Sequence, residues 1–559
     1  MKTPVLIAVG AHIDFLATSN EPSHQINFGD HSAMGESENR HGYHHDLEPE
    51  AVVVTAQQMQ QIETRLFEAG LPVPALMEKV AGQITQWLLQ QYPRNRTPVA
   101  GIIVGPGHNG GDALVVAREL HHQGYQVRPW YPFSKLKPLT AQHQAYLDYL
   151  GIAGVTSSDE LLGCDFIVDG GFGIGLTKPL SGEFAAGIAA LNAADRPIVS
   201  IDLPSGLETD SGTVLGTAVR ATHTLCLGLW KLGLLQDAAQ PWLGQAHLIP
   251  FDIPQTAIEA VLTPSPARRR ITATAVIARL PLPRSRIAHK YTAGHALLIA
   301  GSRQYGGAAL LAGQGAIASG VGMLTLVVPE SLRPMALSQF PEALVLGAAE
   351  TAAGAIATLP AAVEWDQYDV VACGPGLTLA ATTVMAAAWS CNQPLIFDAD
   401  GLNYLAQRDP QQAIRERRAA TLLTPHPGEF RRLFPDLWAQ ALMPSAAAYQ
   451  AAQTGCTIVL KGAISTVAHP GEPVWFNPTS TPALARGGSG DVLTGLAAGL
   501  AAQLMQRQQS GTDALLASAI AAVWWHAQTG IAVAAEQSVL GCSASQLAKR
   551  LPTVLASHL

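Results

Sequence analysis

The sequence predicts an α/β protein made of two doubly wound, three-layer domains. Three observations point there. Short apolar strands run repeatedly into Gly- and Asp-rich turns, and each turn opens a helical pattern. The series occurs twice, on either side of a proline-containing segment between Pro250 and Ile287. At 559 residues, the chain is also too long for one ordinary core. The division expected is 1–50 as a His-rich extension, 51–255 as the first domain, 256–288 as a linker and lead-in segment, and 289–557 as the second domain.

Hydrophobic residues make up 48% and charged residues 14%, the composition of a globular chain with large cores. A net charge of -8 and a pI near 6.1 argue against a nucleic-acid-binding surface. The six cysteines lie far apart and form no CxxC pair, so neither a zinc site nor a disulfide framework is indicated, and a reduced, cytoplasmic compartment is expected. Two stretches lack Asp, Glu, Lys and Arg: Gln304 to Pro329 and Ala514 to Ala535. Both carry polar residues and read as buried core elements, with no membrane span expected.

In chain order, residues 1–50 carry His12, His24, His31, His41, His44 and His45 among polar residues without periodicity, and a disordered extension is expected. From Val52 to Tyr92 the apolar spacing is helical: Met59, Ile62 and Leu66, then Leu76, Val80, Ile84 and Leu88. Pro98–Val104 is a short strand that runs into Gly105-Pro106-Gly107-His108-Asn109-Gly110-Gly111-Asp112, with a helix after it. The pattern repeats at Asp165–Val168 before Asp169-Gly170-Gly171-Phe172-Gly173-Ile174-Gly175, and at Pro197–Ile201 before Asp202-Leu203-Pro204-Ser205-Gly206. Ligands of open parallel sheets bind at these carboxyl ends, so the three turns converge on one crevice. Asn109 and Ser205 offer neutral oxygens and Asp169 an anionic one, a set suited to a weakly charged cation such as potassium beside phosphate oxygens. Asp202 is either a turn residue or an acid–base group. The triplet Arg268-Arg269-Arg270 reads as a solvated face.

The second series holds strands at 296–300, 323–328, 370–373, 395–397, 421–423 and 457–460. Their ends carry Gly374-Pro375-Gly376, Asp398-Ala399-Asp400, Thr424-Pro425-His426-Pro427 and Lys461-Gly462-Ala463-Ile464-Ser465. Then comes Arg486-Gly487-Gly488-Ser489-Gly490-Asp491, followed by an apolar helix. Glycines before a helix start can form an anion hole, and Asp491 there is either an N-cap or a base that takes a proton from a hydroxyl meeting a phosphoryl group. Lys461 ends a strand, where a lysine can contact phosphate. Asp398 or Asp400 can hold Mg²⁺ through water, or cap a helix. His426, set between two prolines, reads as a pocket residue. No GxxxxGK[ST] is present, so this is not a P-loop enzyme.

At these residues the chain resembles the bifunctional NAD(P)H-hydrate repair enzymes. GPGHNGGDALVVAREL, VDGGFGIGLTKPLSG and IDLPSGLETDSG are similar to the motifs of the epimerase domain; GSRQYGGAALLAGQGA, FDADGLN, TPHPGEF, KGAIS and ARGGSGDVLTG are similar to those of the dehydratase domain. The resemblance implies a Rossmann-like first domain that interconverts the R and S hydrates of NADH and NADPH. It implies a ribokinase-like second domain that dehydrates the S form with ADP or ATP, ADP being the donor expected, and with Mg²⁺. It implies hydrate contacts from His108, Asn109, Gly110, Gly111 and Asp112, from Gly173, Ile174, Gly175, Leu176, Thr177, Lys178 and Pro179, and from Asp202. Potassium would sit on Asn109, Asp169 and Ser205. In the second domain Ala308, Gly376, His426 and Asp491 would contact the hydrate, and Lys461, Gly462, Ala463, Ile464, Ser465 and Gly490 the nucleotide. Asp202 and Asp491 are the catalytic candidates. A homo-oligomer with small-molecule substrates is expected. The chain departs from the family pattern in His108, where Asn is usual, and in Tyr291 after His289-Lys290, where Gly is usual. The alternative is a ribokinase-like small-molecule kinase fused to a non-catalytic binding domain.

Overall fold

The computed structural model describes residues 48–263, 268–507 and 509–559, so the expectation for 1–50 lies almost wholly outside the described residues. The first strand, β1 (Val52–Val54), corrects the helical reading from Val52: three β-branched residues in a row prefer an extended chain, and the helix begins only at Ala56. Thr55 caps it, accepting from the Gln58 N–H while the Gln58 side chain reaches back to the Thr55 N–H.

The first half continues with β2 (Val99–Val104), β3 (Gln126–Trp130), β4 (Phe166–Gly170), β5 (Ile198–Ile201), β6 (His223–Leu227), β7 (Trp230–Lys231) and β8 (Gln245–Ile249). Six of these form a sheet in the order β3-β2-β4-β5-β6-β8, every neighbouring pair parallel. Alternate residues feed two cores. Ile102, Val104 and Val168 point into one face, under the helices Val73–Gln91 and His108–His122; Ile103 and Ile167 point into the other, with Phe184 and Leu191.

Next come β9 (Arg268–Arg270), β10 (His295–Ile299), β11 (Met323–Pro329), β12 (Leu344–Glu350), β13 (Ile356–Thr358), β14 (Val370–Cys373), β15 (Leu395–Phe397), β16 (Thr421–Leu423), β17 (Thr457–Leu460), β18 (Thr466–Ala468) and β19 (Val474–Phe476). Strands β12-β11-β10-β14-β15-β16-β17 are parallel neighbours. Here too the faces alternate: Ala296 and Leu298 on one side, Leu297 and Ile299 on the other, each under helices. Both halves are therefore three-layered, as predicted. The charge-free stretch 514–535 lies in the helix Gly511–Gln537, which is mostly buried inside the protein.

Helices Gly306–Ala318 and Ser489–Met505 pack backbone to backbone. A Cβ on Gly495 would lie 1.8 Å from the Ala312 carbonyl oxygen, and one on Gly315 2.2 Å from that of Val492. These small residues serve helix-on-helix contact, which brings the start of the second helix, with Asp491, against the first.

The two halves share a sheet. Beyond β17 the order runs β18-β19-β9-β1-β7, giving thirteen strands in all. The arginine triplet expected to be a solvated face is instead β9, half-buried, parallel to β19 and antiparallel to β1. An aromatic ring receives one of its charges: the Arg270 guanidinium lies 4.0 Å from the centroid of Trp230. Burial lowers the Arg270 pKa to about 10, with Cys226 and the Glu50 charge opposing.

Candidate active sites

Strand ends β2, β4 and β5 meet at a cavity of about 580 Å³. Of the residues singled out in the sequence, His108, Asn109, Asp112, Gly173, Ile174, Gly175, Leu176 and Asp202 line it. Gly110 and Gly111 are buried below it: a Cβ on Gly110 would strike the Gly105 carbonyl oxygen at 2.0 Å, so their smallness lets the helix close on the strand. Thr177, Lys178 and Pro179 are exposed and outside the lining.

Asp202 sits directly after β5 with φ 67°, a left-handed conformation costly for a non-glycine residue and tolerated best by Asp and Asn. Its Oδ1 lies 2.5 Å from the Lys231 ammonium, which is 1% exposed. Lys231 also donates to the Leu227 carbonyl. Burial opposes the lysine charge, but the charge of Asp202 prevails and the pKa of Lys231 stands above its ordinary value. Two further carboxyls face this pair. Burial, with Asp202 adding and Lys231 opposing, raises Glu63 to about 7. Burial, then the charges of Asp202 and Glu63, push Asp112 well above the carboxylate range. The one ammonium thus contacts Asp202, while burial drives the two carboxyls it does not contact toward their protonated forms.

Asp169 is wholly buried beneath the cavity floor and fully bonded. It accepts from Ser205 Oγ at 2.6 Å, Ser205 N–H at 2.9 Å, Ser200 Oγ at 2.8 Å and Gly171 N–H at 3.0 Å. Asn109 donates to the Ile201 carbonyl at 3.2 Å, while its Oδ1 is buried with no hydrogen-bond partner. A Cβ on Gly173 would lie 3.1 Å from Asp202 Oδ2 and 3.6 Å from Asn109 Oδ1, so only glycine leaves this space open.

In the second half, β15 and β17 bring Asp398 and Lys461 together at 2.8 Å. Thr494, one turn into the helix Ser489–Met505, donates to the other oxygen of Asp398 at 2.7 Å. Burial raises the Asp398 pKa, but the Lys461 charge and these bonds outweigh it and hold the carboxyl below its ordinary range. Glu429, 3.9 Å from Lys461, is raised by burial. The helix begins after Gly488 (φ 90°), and no side chain caps it, which leaves first-turn N–H groups without a side-chain acceptor. Gly490 lies over Lys461: a Cβ there would be 3.5 Å from the ammonium. Asp491 is raised to about 7 by burial and by Asp398, against Lys461.

Other expected residues have structural partners. His426 caps the helix Pro427–Leu433, its Nδ1 accepting from the Gly428 N–H at 3.0 Å, and its side chain is half-exposed. Burial and the charges of Lys461 and Arg432 lower its pKa, so it is neutral at pH 7. Gly376, with φ 66°, touches Ala308: a Cβ would lie 2.8 Å from that of Ala308. The N–H groups of Ala463 and Ile464 are bonded to Asp237, a residue of the first half, at 3.3 and 2.7 Å. Asp400 accepts from the Thr378 N–H at 2.9 Å and from Asn403.

Sequence reasoning missed Lys231, Glu63, Glu429 and Thr494. Lys231 left one signal: it is the single charge that ends the apolar run 224–231. The others meet the sites only through packing.

Comparison with known proteins finds a separate match for each half. A family model described as NAD(P)H-hydrate dehydratase matches residues 296–553, and one described as YjeF-related protein N-terminus matches residues 73–233. The chain is 49% identical over 504 residues to a bifunctional NAD(P)H-hydrate repair enzyme of Thermosynechococcus vestitus, covering 90% of this chain and 97% of that one. It is 49% identical over 500 residues to the enzyme of the same description from Synechocystis, covering 89% and 94%. Among solved structures, an ADP/ATP-dependent NAD(P)H-hydrate dehydratase from Bacillus subtilis, co-crystallised with ATP and Mg²⁺, is 34% identical, with a TM-score of 0.42, over 52% of this chain and 98% of that one. With near-half identity along nine-tenths of its length and both catalytic halves in order, the chain belongs to the bifunctional NAD(P)H-hydrate repair enzymes.

Proposed function

We infer that the chain repairs hydrated NADH and NADPH, epimerising the R and S hydrates in the first half and dehydrating the S hydrate in the second at the cost of a nucleotide phosphoryl group. The observation that carries the second activity is Asp491: a carboxyl raised to about 7 at an uncapped helix start, near the half-buried Lys461. A base with a pKa near the working pH is suited to take a hydroxyl proton. The hydrate hydroxyl loses its proton to Asp491, its oxygen bonds to the terminal phosphorus, and the nucleotide departs shortened by one phosphoryl. First-turn N–H groups at Gly490 and Asp491, with Lys461, stabilise the charge that develops. The ring then expels inorganic phosphate, losing a proton from the adjacent carbon, and the dihydronicotinamide is restored.

In the first half, inversion requires the hydroxyl-bearing ring carbon to lose and regain its oxygen. Protonated Glu63 or Asp112 can protonate the leaving hydroxyl, and Asp202, paired with Lys231, can accept a proton from the returning water. Of the three residues proposed for potassium, Asn109 offers a free acceptor, its unpartnered Oδ1, whereas Asp169 and Ser205 are bonded to one another and would have to give up those bonds; the ion would supply positive charge for the phosphates of the hydrate. Mg²⁺ fits less directly. Asp398 and Asp400 are already bonded, and among the described residues no three His, Cys, Asp or Glu side chains group around a metal position. It would arrive on the nucleotide phosphates, where it would neutralise their charge.

The same proposal includes ADP as the donor, Lys461–Ser465 and Gly490 as its holders, Ala308, Gly376 and His426 at the hydrate, and the boundaries 51–255, 256–288 and 289–557. It also includes a homo-oligomer, in a cytoplasmic compartment that suits six buried free thiols. The test is to incubate the chain with hydrated NADH and ADP or ATP and follow reduced-nicotinamide absorbance and inorganic phosphate together. Equimolar recovery of both is expected. A stable phosphorylated product instead would identify a kinase.

A further inference from the structure

The loop Lys461–Ser465 is braced from the other half of the chain. Asp237 Oδ1 accepts the Ile464 N–H at 2.7 Å, and Oδ2 accepts the Ala463 N–H at 3.3 Å. The carboxylate lies so close that a Cβ on Gly462 would be 2.7 Å from Oδ2. The glycine therefore has a reason beyond any nucleotide: it leaves room for this contact. The surroundings make the brace firm. Ile464 is buried in a core shared with Leu232, Leu234, Leu235 and Phe476. The neighbouring Gln236 is 4% exposed and accepts from Ser445 of the second half at 3.1 Å. The brace sits at the end of one short run. Residues 231–237 begin with the lysine paired to Asp202 and end with Asp237 on the nucleotide loop.

We propose that Asp237 is a positioning residue of the dehydratase, by which the epimerase half holds the turn 462–464 in the shape that receives nucleotide and keeps Lys461 over Asp398. This rests on the reading of 461–465 as a nucleotide loop. Two N–H groups in succession, held by one carboxylate, fix the backbone of a turn that would otherwise have a glycine at its pivot. The dehydratase half thus takes part of its nucleotide site from its fusion partner.

The sign of the effect separates positioning from simple charge. Removing a negative charge near a polyanion, by itself, favours the polyanion and lowers its KM. Loss of the brace raises it. In the full-length protein, Asp237→Ala is expected to raise the nucleotide KM at least about fivefold. The KM for S hydrate, the epimerisation rate and the melting temperature stay at their wild-type values. Asp237→Asn keeps one acceptor oxygen for Ile464 and is expected to fall between. Hydrogen exchange at Ala463 and Ile464 should quicken in Asp237→Ala. The wild type with ATP provides the control: nucleotide should alter exchange across 461–466. If it does not, the nucleotide reading of the loop fails, and the proposal with it. If it does, and the nucleotide KM of Asp237→Ala is unchanged or lower, the positioning role alone is overturned.

Discussion

The two sites are made of the same parts and set differently. Each has one lysine among several carboxyls, Lys231 fully buried and Lys461 half-buried. In the first half Lys231 pairs with Asp202, the residue on the strained strand end, and the unpaired Glu63 and Asp112 are driven up. In the second, Lys461 pairs with Asp398 deep under the cleft, and the unpaired carboxyl at the helix start, Asp491, is the one driven up to about 7. An ammonium keeps one carboxylate ionised in a low-dielectric site. Which carboxylate it contacts decides whether the residue facing substrate is the lysine's partner or an unpaired group raised toward neutrality. The first arrangement suits reversible loss and return of water at one carbon; the second suits a single deprotonation coupled to phosphoryl transfer.

The contrast predicts opposite selective losses. Asp491→Asn should lower dehydration of pure S hydrate by about 10²–10⁴-fold, the usual worth of a positioned base. Calorimetry should find nucleotide still bound, and epimerisation should be intact; wild-type dehydration in that variant would remove Asp491 from the chemistry. Asp202→Asn should cut epimerisation by about 10²-fold or more. Asn is the substitution best able to keep the left-handed backbone there. If dehydration of pure S hydrate fell as well, Asp202 would be structural. Lys231→Met should unfold at lower denaturant, by about 3–5 kcal/mol, because it leaves Asp202 buried without its counter-charge. An unchanged midpoint would mean that Asp202 is not held as an anion.

The smallest effects concern packing. Gly495→Ala should cost about 1–3 kcal/mol by pushing against the Ala312 carbonyl. Gly307→Ala, in open space on the neighbouring helix, should gain about 0.5–1 kcal/mol. Equal midpoints for the two variants would deny the close helix contact that places Asp491.

What the sequence made legible was local. Strand, glycine turn, helix is a pattern of adjacent residues, so Asn109, Asp169, Asp202, Lys461 and Asp491 could be picked from the chain alone. What stayed hidden depends on distant partners. Val52–Val54 and Arg268–Arg270 are too short to show strand periodicity, and they become strands because β1 pairs with β7 and β9, and β9 in turn with β19 of the second half. Glu63 sits on an amphipathic helix like any surface glutamate, and only the approach of Lys231 and Asp202 reveals it. His426 illustrates the reverse: its rigid setting between prolines was visible, but the ring's bond to the Gly428 N–H is a helix cap.

The central claim is that Asp491 is the base of the dehydratase and changes protonation near neutrality. It is tested most directly by the pH profile of dehydration of pure S hydrate at saturating nucleotide. A base must be ionised to act, so the rate should climb with pH through about 7 and level off above, while Asp491→Asn loses that limb altogether. A wild-type profile flat between about pH 6 and pH 8, or a limb that survives in Asp491→Asn, would contradict the account.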